Sequence, residues 1–312
     1  MIAVSESNDP RAAQVEQTIC AFLEQLMWDR EVRPVPEITS ATVLYDDHML
    51  APTRVWVETD PVVAELKVAA GDELVRQQLL DAHQLHATYG ENYGAPDCPV
   101  PLHGLRFAKT RQPVDLDLWP EAFTPDAPHY TTIANYRVDV HEVSYGGQIY
   151  SWSKHHEWER FIDLPRHTPQ SFELALKAEP ADLERLRDRG WGIVPALPMT
   201  LELDRYESFI RRSRGEFTVA KDQNIRLRSG WFSERDACYL ASGKPVIAQD
   251  TAFVVPTGEG LFAVGDVEEA AAAIAEVNAD YARHARAARR LAEEWFEGRA
   301  VAGRLLGDLG LG

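Results

Sequence analysis

GEFTVAKDQNIRLRSGWFSERDACYLASGKPVIAQD, residues 215 to 250, carries the pattern from which the fold class follows. Its two ends are short apolar runs typical of buried strands, and the segment between them has helical character. Ser233 stands where a helix N-cap is expected, and Gly243 followed by Pro245 closes the same helix. The stretch therefore predicts a strand, a helix and a second strand, which form a parallel pair with a right-handed crossover.

The same alternation begins about ninety residues earlier in the chain. Strand-like runs are YTTIANYRV, SFELALKA and WGIVPA, and helical runs are HHEWERFIDL, PADLERLRDRG and LDRYESFIRRS. Strict alternation of strands and helices predicts a doubly wound α/β domain with a parallel sheet. In such a domain, ligands bind in the crevice at the carboxyl ends of the strands.

The amino-terminal half predicts a second domain of the same class. We expect a helix over 10–29, strands at 41–45 and 54–61, helical segments broken at Gly71, and a further strand before residue 90. A proline-rich passage then separates the halves, because proline interrupts both helices and strand ladders. With 312 residues, the chain is expected to divide into domains at 1–125 and 126–312.

The carboxyl terminus predicts one long helix that begins at GDVEEA. Asp266 is expected to cap it in a capping-box arrangement with Glu269. Apolar and aromatic positions recur on one face, which indicates a buried stripe. Its members are Ala270, Ile274, Val277, Tyr281, His284, Ala288, Leu291 and Trp295.

Composition and charge exclude several classes of function. The formal charge of −17 argues against a nucleic-acid partner, because binding surfaces that follow a phosphate backbone need clustered positive charge. The three cysteines, Cys20, Cys98 and Cys238, lack metal-ligand spacing, so we expect reduced thiols and no metal site. With no basic leader and no apolar run of bilayer length, the sequence predicts a cytoplasmic protein without a transmembrane segment.

A local anion-binding site is expected despite the net negative charge of the chain. Between residues 205 and 228 there are seven basic residues and three acidic ones, a balance of +4. Lys221 follows a predicted strand, and Arg228 precedes a glycine and a capped helix start, where free N–H groups favour an anion. We predict that a nucleoside diphosphate binds here, although an ordinary surface-exposed helix and turn would give a similar pattern. The predicted turn comprises Arg228, Ser229, Gly230, Trp231, Phe232 and Ser233.

Several motifs of this chain resemble those of a known protein family. SRGEFTVAK (213–221), RSGWFSERDACYLASGKPVIAQDT (228–251) and PTGEGLFAV (256–264) are similar to the carboxyl half of bacterial GT-B glycosyltransferases of the spore-maturation type. The resemblance covers most of residues 54–300. It implies two Rossmann-like domains, with a nucleotide-sugar donor in the second and a small-molecule or envelope-glycan acceptor at the first. The Gly-rich strand-loop-helix usual at the start of this fold is missing, so we expect either a shortened amino-terminal domain or a true start that lies upstream.

The resemblance also implies roles for particular residues. The donor diphosphate would lie against Lys221, Arg228 and the helix start, without a metal or other cofactor, because no DxD-type motif is present. Lys154 is a second phosphate contact or a plain surface lysine. Asp250 and Thr251 end a strand where the hydroxyls of the donor sugar would lie. A tight turn beside them, equally compatible with a hairpin, contains Gly258, Glu259 and Gly260.

An inverting transfer also needs a base for the acceptor hydroxyl. Asp60 and Glu91 are the candidates, because each follows a predicted strand of the first domain, where either also suits a capping role. Gly230 and Cys238 occupy places where many retaining members of the family carry glutamates, so the stereochemistry stays undecided. A second interpretation is therefore a catalytically reduced GT-B protein that binds a nucleotide-sugar or a protein partner without turnover.

Overall fold

The structure is a computed structural model that describes residues 2–3, 53–138 and 142–311. The helix predicted over 10–29 and the strand predicted at 41–45 lie outside these residues. Cys20 lies outside them too, whereas Cys98 and Cys238 are free thiols.

The first sheet has four parallel strands in the order β1-β2-β3-β4. Two helical segments, Val63–Ala69 and Glu73–Arg76, connect β2 to β3, and a π-helical turn at Gln77–Asp81 continues the second one. The break between them is at Gly71, as predicted, where φ is +92°. The strands are β1 (Ile2–Ala3), β2 (Val55–Glu58), β3 (Leu85–Thr88) and β4 (Phe107–Lys109).

The second sheet has six parallel strands, and a small antiparallel hairpin precedes its first crossover helix. Across the six-stranded sheet the strands lie in the order β9-β8-β5-β10-β11-β12. If these six strands are numbered by their position in the chain, the order is 3-2-1-4-5-6, which is that of the Rossmann fold. The order reverses between β5 and β10, and this switch point is where such sheets bind ligands. The strands are β5 (His129–Asn135), β6 (Val143–Tyr145) and β7 (Gln148–Tyr150) of the hairpin, β8 (Ser171–Lys177), β9 (Gly192–Pro195), β10 (Gly215–Thr218), β11 (Val246–Gln249) and β12 (Leu261–Val264).

Helices cover the second sheet and bury an aromatic core. Trp158, Phe172, Trp191 and Phe217 pack with ring centroids between 4.7 and 6.2 Å apart. This cluster fixes β8 and β10 beneath the crossover helices. The helices are His155–Arg160, Leu164–His167, Pro180–Asp188, Leu197–Thr200, Leu203–Arg211, Asp222–Arg226 and Glu234–Ala241.

The prediction of one long terminal helix is wrong. Asp280 leaves the helical region, with φ −146° and ψ 67°, and its carboxylate caps the next segment by accepting from the Arg283 N–H. The chain therefore forms three helices, Val267–Ala279, Tyr281–Leu291 and Gly298–Asp308, with a π-helical turn between the last two. The apolar stripe is nevertheless buried except for Trp295, which is half-buried. The last helix contacts β4, so it lies against the first sheet.

The cap at Asp266 is present in a slightly different form. Asp266 Oδ1 accepts the Glu269 N–H at 2.9 Å, as predicted. Glu269 instead reaches the N–H of Gly265, at 2.7 Å. The start of this helix was therefore predictable, although one of the two reciprocal bonds is displaced by a residue.

The architecture is α/β with two parallel sheets, which confirms the predicted fold class. The first sheet ends at Lys109 and the second begins at His129. The domain boundary at 125/126 stays a prediction. Among helices of the described ranges, none combines the length and the apolar run that a bilayer crossing requires.

Candidate functional site

The candidate site lies where the carboxyl ends of the two sheets meet. Two side chains of the second unit donate hydrogen bonds to backbone carbonyls across this boundary: Trp231 Nε1 to the Thr59 oxygen and Gln223 Nε2 to the Pro61 oxygen, both at 3.3 Å. In the opposite direction, Gln112 Nε2, which follows β4, donates to the Phe232 carbonyl. The segments that follow β2 and β10 are thereby brought face to face.

An ion pair between Lys221 and Asp60 joins the two sheets at this boundary. Lys221 follows β10, Asp60 follows β2, and the lysine ammonium contacts Asp60 Oδ2. Trp152 Nε1 donates to the same oxygen at 2.6 Å, and its ring centroid lies 3.5 Å from Lys221 Nζ. Burial lowers the pKa of Lys221, and Asp60 opposes that shift. The crevice therefore contains a cation that an aromatic ring and a carboxylate hold in place.

A second lysine is buried close to the first. Lys154 lies just before the helix His155–Arg160, is 9% exposed, and has its Nζ 5.6 Å from the ring centroid of Trp231. Burial lowers the pKa of Lys154 to about 7, Arg235 and Lys221 act in the same direction, and Asp236 opposes them. Lys154 and Lys221 come from the crossover after β5 and from the end of β10, which flank the switch point.

A buried network holds the wall of the crevice beside Lys154. Arg235 pairs with Glu216, and it donates to Thr218 Oγ1 at 2.8 Å and to the Ile133 carbonyl at 2.7 Å. Asp236 lies 3.4 Å from the same guanidinium, and burial raises its pKa well above the usual range. Asp236 and Thr218 of this network line a small cleft together with residues from the neighbouring strand ends. The cleft includes Thr218, Trp231, Phe232, Asp236, Gln249 and Thr251.

Residues 229–233 of the predicted phosphate turn are buried rather than open. Asn92 of the first unit covers the turn: its side chain donates to the Arg228 carbonyl at 2.9 Å, and its N–H donates to the Ser229 carbonyl at 3.2 Å. The N–H of Gly230 already bonds the Thr251 carbonyl, and that of Trp231 bonds Ser229 Oγ. These N–H groups therefore have protein partners in this arrangement.

The ends of this turn have structural roles. Ser233 caps the helix Glu234–Ala241 through its side chain, as predicted. Gly230 has φ +79°, and an added Cβ would overlap the backbone nitrogen of Asn92. The glycine therefore permits contact between the two units, whereas the sequence suggested that it admits a phosphate. Phe232 packs in the core with Phe253 and Phe296.

Arg228 is the most exposed residue of the predicted turn. Its side chain is 43% exposed and pairs with Asp97 at 2.7 Å and with Asp250 at 3.5 Å. The hydrogen bond from Arg228 holds the pKa of Asp97 below its usual range. Thr251 is buried, and its hydroxyl donates to the Trp231 carbonyl at 2.6 Å. Asp250 and Thr251 thus lie at the strand end as predicted, but both already have partners.

The turn with Gly258, Glu259 and Gly260 is not brought to the crevice. It precedes β12, which runs parallel to β11, so it lies at the opposite edge of the sheet and forms no hairpin. Gly260 packs against the backbone of the terminal helix near Ala288. Glu259 is exposed and faces arginines of the same helix.

Glu91 follows β3 as predicted, but it forms an ion pair of its own. Arg111 contacts its carboxylate, and the guanidinium lies 4.5 Å from the ring centroid of Trp295. Burial raises the pKa of Glu91, and the charge of Arg111 opposes that shift. This pair joins the first sheet to the terminal helical region.

Sequence reasoning missed Trp152. Trp152 stands two residues before Lys154, and an aromatic residue near a candidate phosphate lysine is a usable signal. Clusters of three or more potential metal ligands are absent from the residues the structure describes.

Comparison with solved structures supports the fold. Sucrose-phosphate synthase from Thermosynechococcus elongatus aligns with a TM-score of 0.54 and 15% identity, over 83% of this chain and 67% of that one. Anabaena Alr3699/HepE, solved in complex with UDP and glucose, aligns with a TM-score of 0.54 and 13% identity, over 83% and 71%. A glycosyltransferase from Rickettsia africae ESF-5 aligns with a TM-score of 0.51 and 11% identity, over 99% and 84%.

No protein-family model and no curated protein sequence matches the chain. The structural likeness, at identities of 11 to 15%, establishes the fold as that of the GT-B glycosyltransferases. The predicted GT-B fold is thereby confirmed.

Proposed function

We propose that this chain of GT-B fold transfers a sugar from a nucleoside-diphosphate donor to an acceptor that lies against the first sheet. The observation that carries the proposal is the pair of lysines beside the topological switch point, of which Lys154 is buried and Lys221 is largely buried. Open α/β sheets bind ligands in the crevice at this point. Two cations with restricted access to water suit a diphosphate, because Coulomb attraction is stronger where water is excluded.

The lysines replace Arg228 as the main phosphate ligands in this proposal. Lys154 lacks an ion pair within the described part of the chain, and the partner of Lys221 is a half-exposed carboxylate that a phosphate oxygen can displace. Arg228 already pairs with two carboxylates at the rim. A charge-assisted bond to phosphate contributes about 1.5 to 3 kcal/mol, so each lysine accounts for about a ten- to hundredfold gain in affinity.

The donor and acceptor are proposed by class. Complexes of HepE contain UDP, glucose or UDP-glucose, which makes UDP-glucose the first donor to test here. A small molecule or an envelope glycan is the proposed acceptor. We also propose that no metal is required, and transfer measured with and without EDTA tests this point, since complete loss restored by Mg²⁺ would contradict it.

Calorimetry with UDP, GDP and TDP tests the donor site. We expect one of them to bind, and we expect Lys154→Met and Lys221→Met each to weaken binding about ten- to hundredfold. Lys67→Met, in the helix Val63–Ala69, is the matched control and should bind normally. The absence of binding by all three nucleotides at millimolar concentration would refute the proposed function.

The alternative is a GT-B protein that binds nucleotide-sugar without turnover. One observation favours it: both predicted bases, Asp60 and Glu91, are held in ion pairs. Release of UDP from UDP-glucose separates the two functions, because a binding protein retains the donor intact.

A further inference from the structure

Trp152 contacts both members of the ion pair between Lys221 and Asp60. The centroid of its ring lies 3.5 Å from Lys221 Nζ, and its Nε1 donates to Asp60 Oδ2 at 2.6 Å. The face of the indole is thus directed at the cation and its edge at the carboxylate. One side chain therefore touches both the proposed phosphate ligand and the group that competes with phosphate for it.

Backbone hydrogen bonds hold Trp152 beside Lys221. Ser151 and Ser153, which flank the tryptophan, are both buried. The Ser151 N–H donates to Asp222 Oδ2 at 3.0 Å, and the Asp222 N–H donates to the Ser153 carbonyl at 3.4 Å. Since Asp222 directly follows Lys221, these bonds align the two segments, and neither bond involves the ion pair.

An aromatic ring holds a cation without cancelling its charge. A carboxylate neutralises an ammonium, and a phosphate oxygen must displace it, whereas the ring quadrupole attracts the cation and leaves its net charge available. A lysine side chain also loses rotamer freedom when it binds a ligand, and a contact that already restricts it lowers this entropic cost. Trp152 therefore keeps Lys221 oriented when Asp60 gives way to the donor.

The indole N–H stabilises Asp60 during the same exchange. Asp60 Oδ1 is buried and has no hydrogen-bond partner within the described residues, so the contacts of this carboxylate are concentrated on Oδ2. When a phosphate takes Lys221, Trp152 Nε1 remains bonded to that oxygen. A buried carboxylate that loses its hydrogen bonds is costly, so this bond makes the displacement of Asp60 easier.

We propose that Trp152 is a positioning residue for the donor diphosphate, an inference that rests on the proposed function. Its ring keeps the Lys221 ammonium directed at the phosphate, and its N–H retains the displaced carboxylate of Asp60. Trp152 acts through Lys221 and not by contact with the donor. Removal of the indole should therefore weaken nucleotide binding only while Lys221 is present.

The test is a double-mutant cycle on the full chain. Wild type, Trp152→Leu, Lys221→Met and the double variant are titrated with the nucleotide among UDP, GDP and TDP that binds wild type most tightly. Calorimetry gives the affinities, with ligand-detected NMR for the weak binders. Trp295→Leu is the matched control, because it removes a half-buried ring that faces a different cation, Arg111, at 4.5 Å.

We expect Trp152→Leu to weaken nucleotide binding about three- to tenfold. In the Lys221→Met background the same substitution should change binding by less than about twofold, because the side chain through which the ring acts is absent. Trp152→Phe keeps an aromatic face and loses the N–H, so its affinity should lie between those of wild type and Trp152→Leu. Trp295→Leu should bind as wild type.

Three results would overturn the assignment while leaving a nucleotide site in place. They are binding by Trp152→Leu within about twofold of wild type, equal losses from this substitution with and without Lys221, and an equal loss in Trp295→Leu. Trp152→Gln, a second variant without the ring, enters the cycle if Trp152→Leu does not fold.

Unfolding of both ring-less variants, measured by thermal melting, would show a structural role for Trp152 and would also overturn the assignment. Failure of the wild type to bind any of the three nucleotides would instead refute the proposed function on which the assignment depends.

Discussion

Lys221 and Asp60 form an ion pair between the ends of β10 and β2, so the lysine proposed to hold a donor phosphate contacts a carboxylate of the opposite sheet. The Lys221 side chain is 11% exposed and that of Asp60 is 31% exposed, so the pair lies at the edge of the buried crevice. A phosphate oxygen that binds Lys221 would therefore compete with the carboxylate of Asp60.

Asp60→Asn is expected to strengthen nucleotide binding. The substitution removes the charge that competes for Lys221, while the amide oxygen still accepts from Trp152 Nε1. We expect a gain of up to about tenfold in UDP affinity by calorimetry. The melting temperature should fall, because Lys221 loses its charged partner. Weaker binding by Asp60→Asn would contradict competition for the lysine.

Nucleotide binding should weaken as pH rises above 7. Lys154 has a pKa of about 7 in the unliganded chain, and only its charged form attracts phosphate. Above pH 7, binding must take up a proton at this residue, so affinity should fall by up to about tenfold per pH unit. Calorimetry at pH 6.5 and 8.5 measures this change.

Lys154→Arg is the control for this pH dependence, because a guanidinium stays charged over the whole range. Its affinity should be nearly constant between the two pH values. The same slope in wild type and Lys154→Arg would show that another group takes up the proton.

Arg228→Ala should have a smaller effect on binding than either lysine substitution. The arginine is engaged by Asp97 and Asp250 at the rim, and surface ion pairs contribute about 0 to 1 kcal/mol. We expect UDP affinity to change by less than about fivefold. A loss comparable to that of Lys221→Met would return Arg228 to the phosphate site predicted from the sequence.

Gly230→Ala should destabilise the contact between the two units. The residue has φ +79°, and an added Cβ would overlap the backbone nitrogen of Asn92. Gly258→Ala is the control, since that position has φ +107° and no atom within 4 Å of the added Cβ. Urea unfolding should show a loss of about 1 to 3 kcal/mol from backbone strain for the control and a larger loss for Gly230→Ala. Equal losses would rule out the steric contribution of Asn92.

Local patterns in the sequence predicted most of the second sheet. Short apolar runs marked the strands, and Ser233 marked a helix start, because a hydroxyl at an N-cap bonds a free N–H whatever the tertiary context. The strand β4, the hairpin β6–β7 and the helix Asp222–Arg226 were not predicted, because segments of three to five residues carry too few positions to show a period.

The sequence by itself determined the fold class, the strand ends that carry Asp60, Glu91 and Lys221, and the cap at Ser233. Only the tertiary structure decided which of these groups meet. From the sequence, the turn at 228–233 was predicted to be an open anion site, but in the structure Asn92 of the first unit covers it. The turn at 258–260 was predicted to belong to the crevice, but β12 runs parallel to β11, so this turn lies at the opposite end of the strands. The physical reason is that a local pattern fixes backbone conformation, whereas burial and charge partners depend on segments distant in the chain.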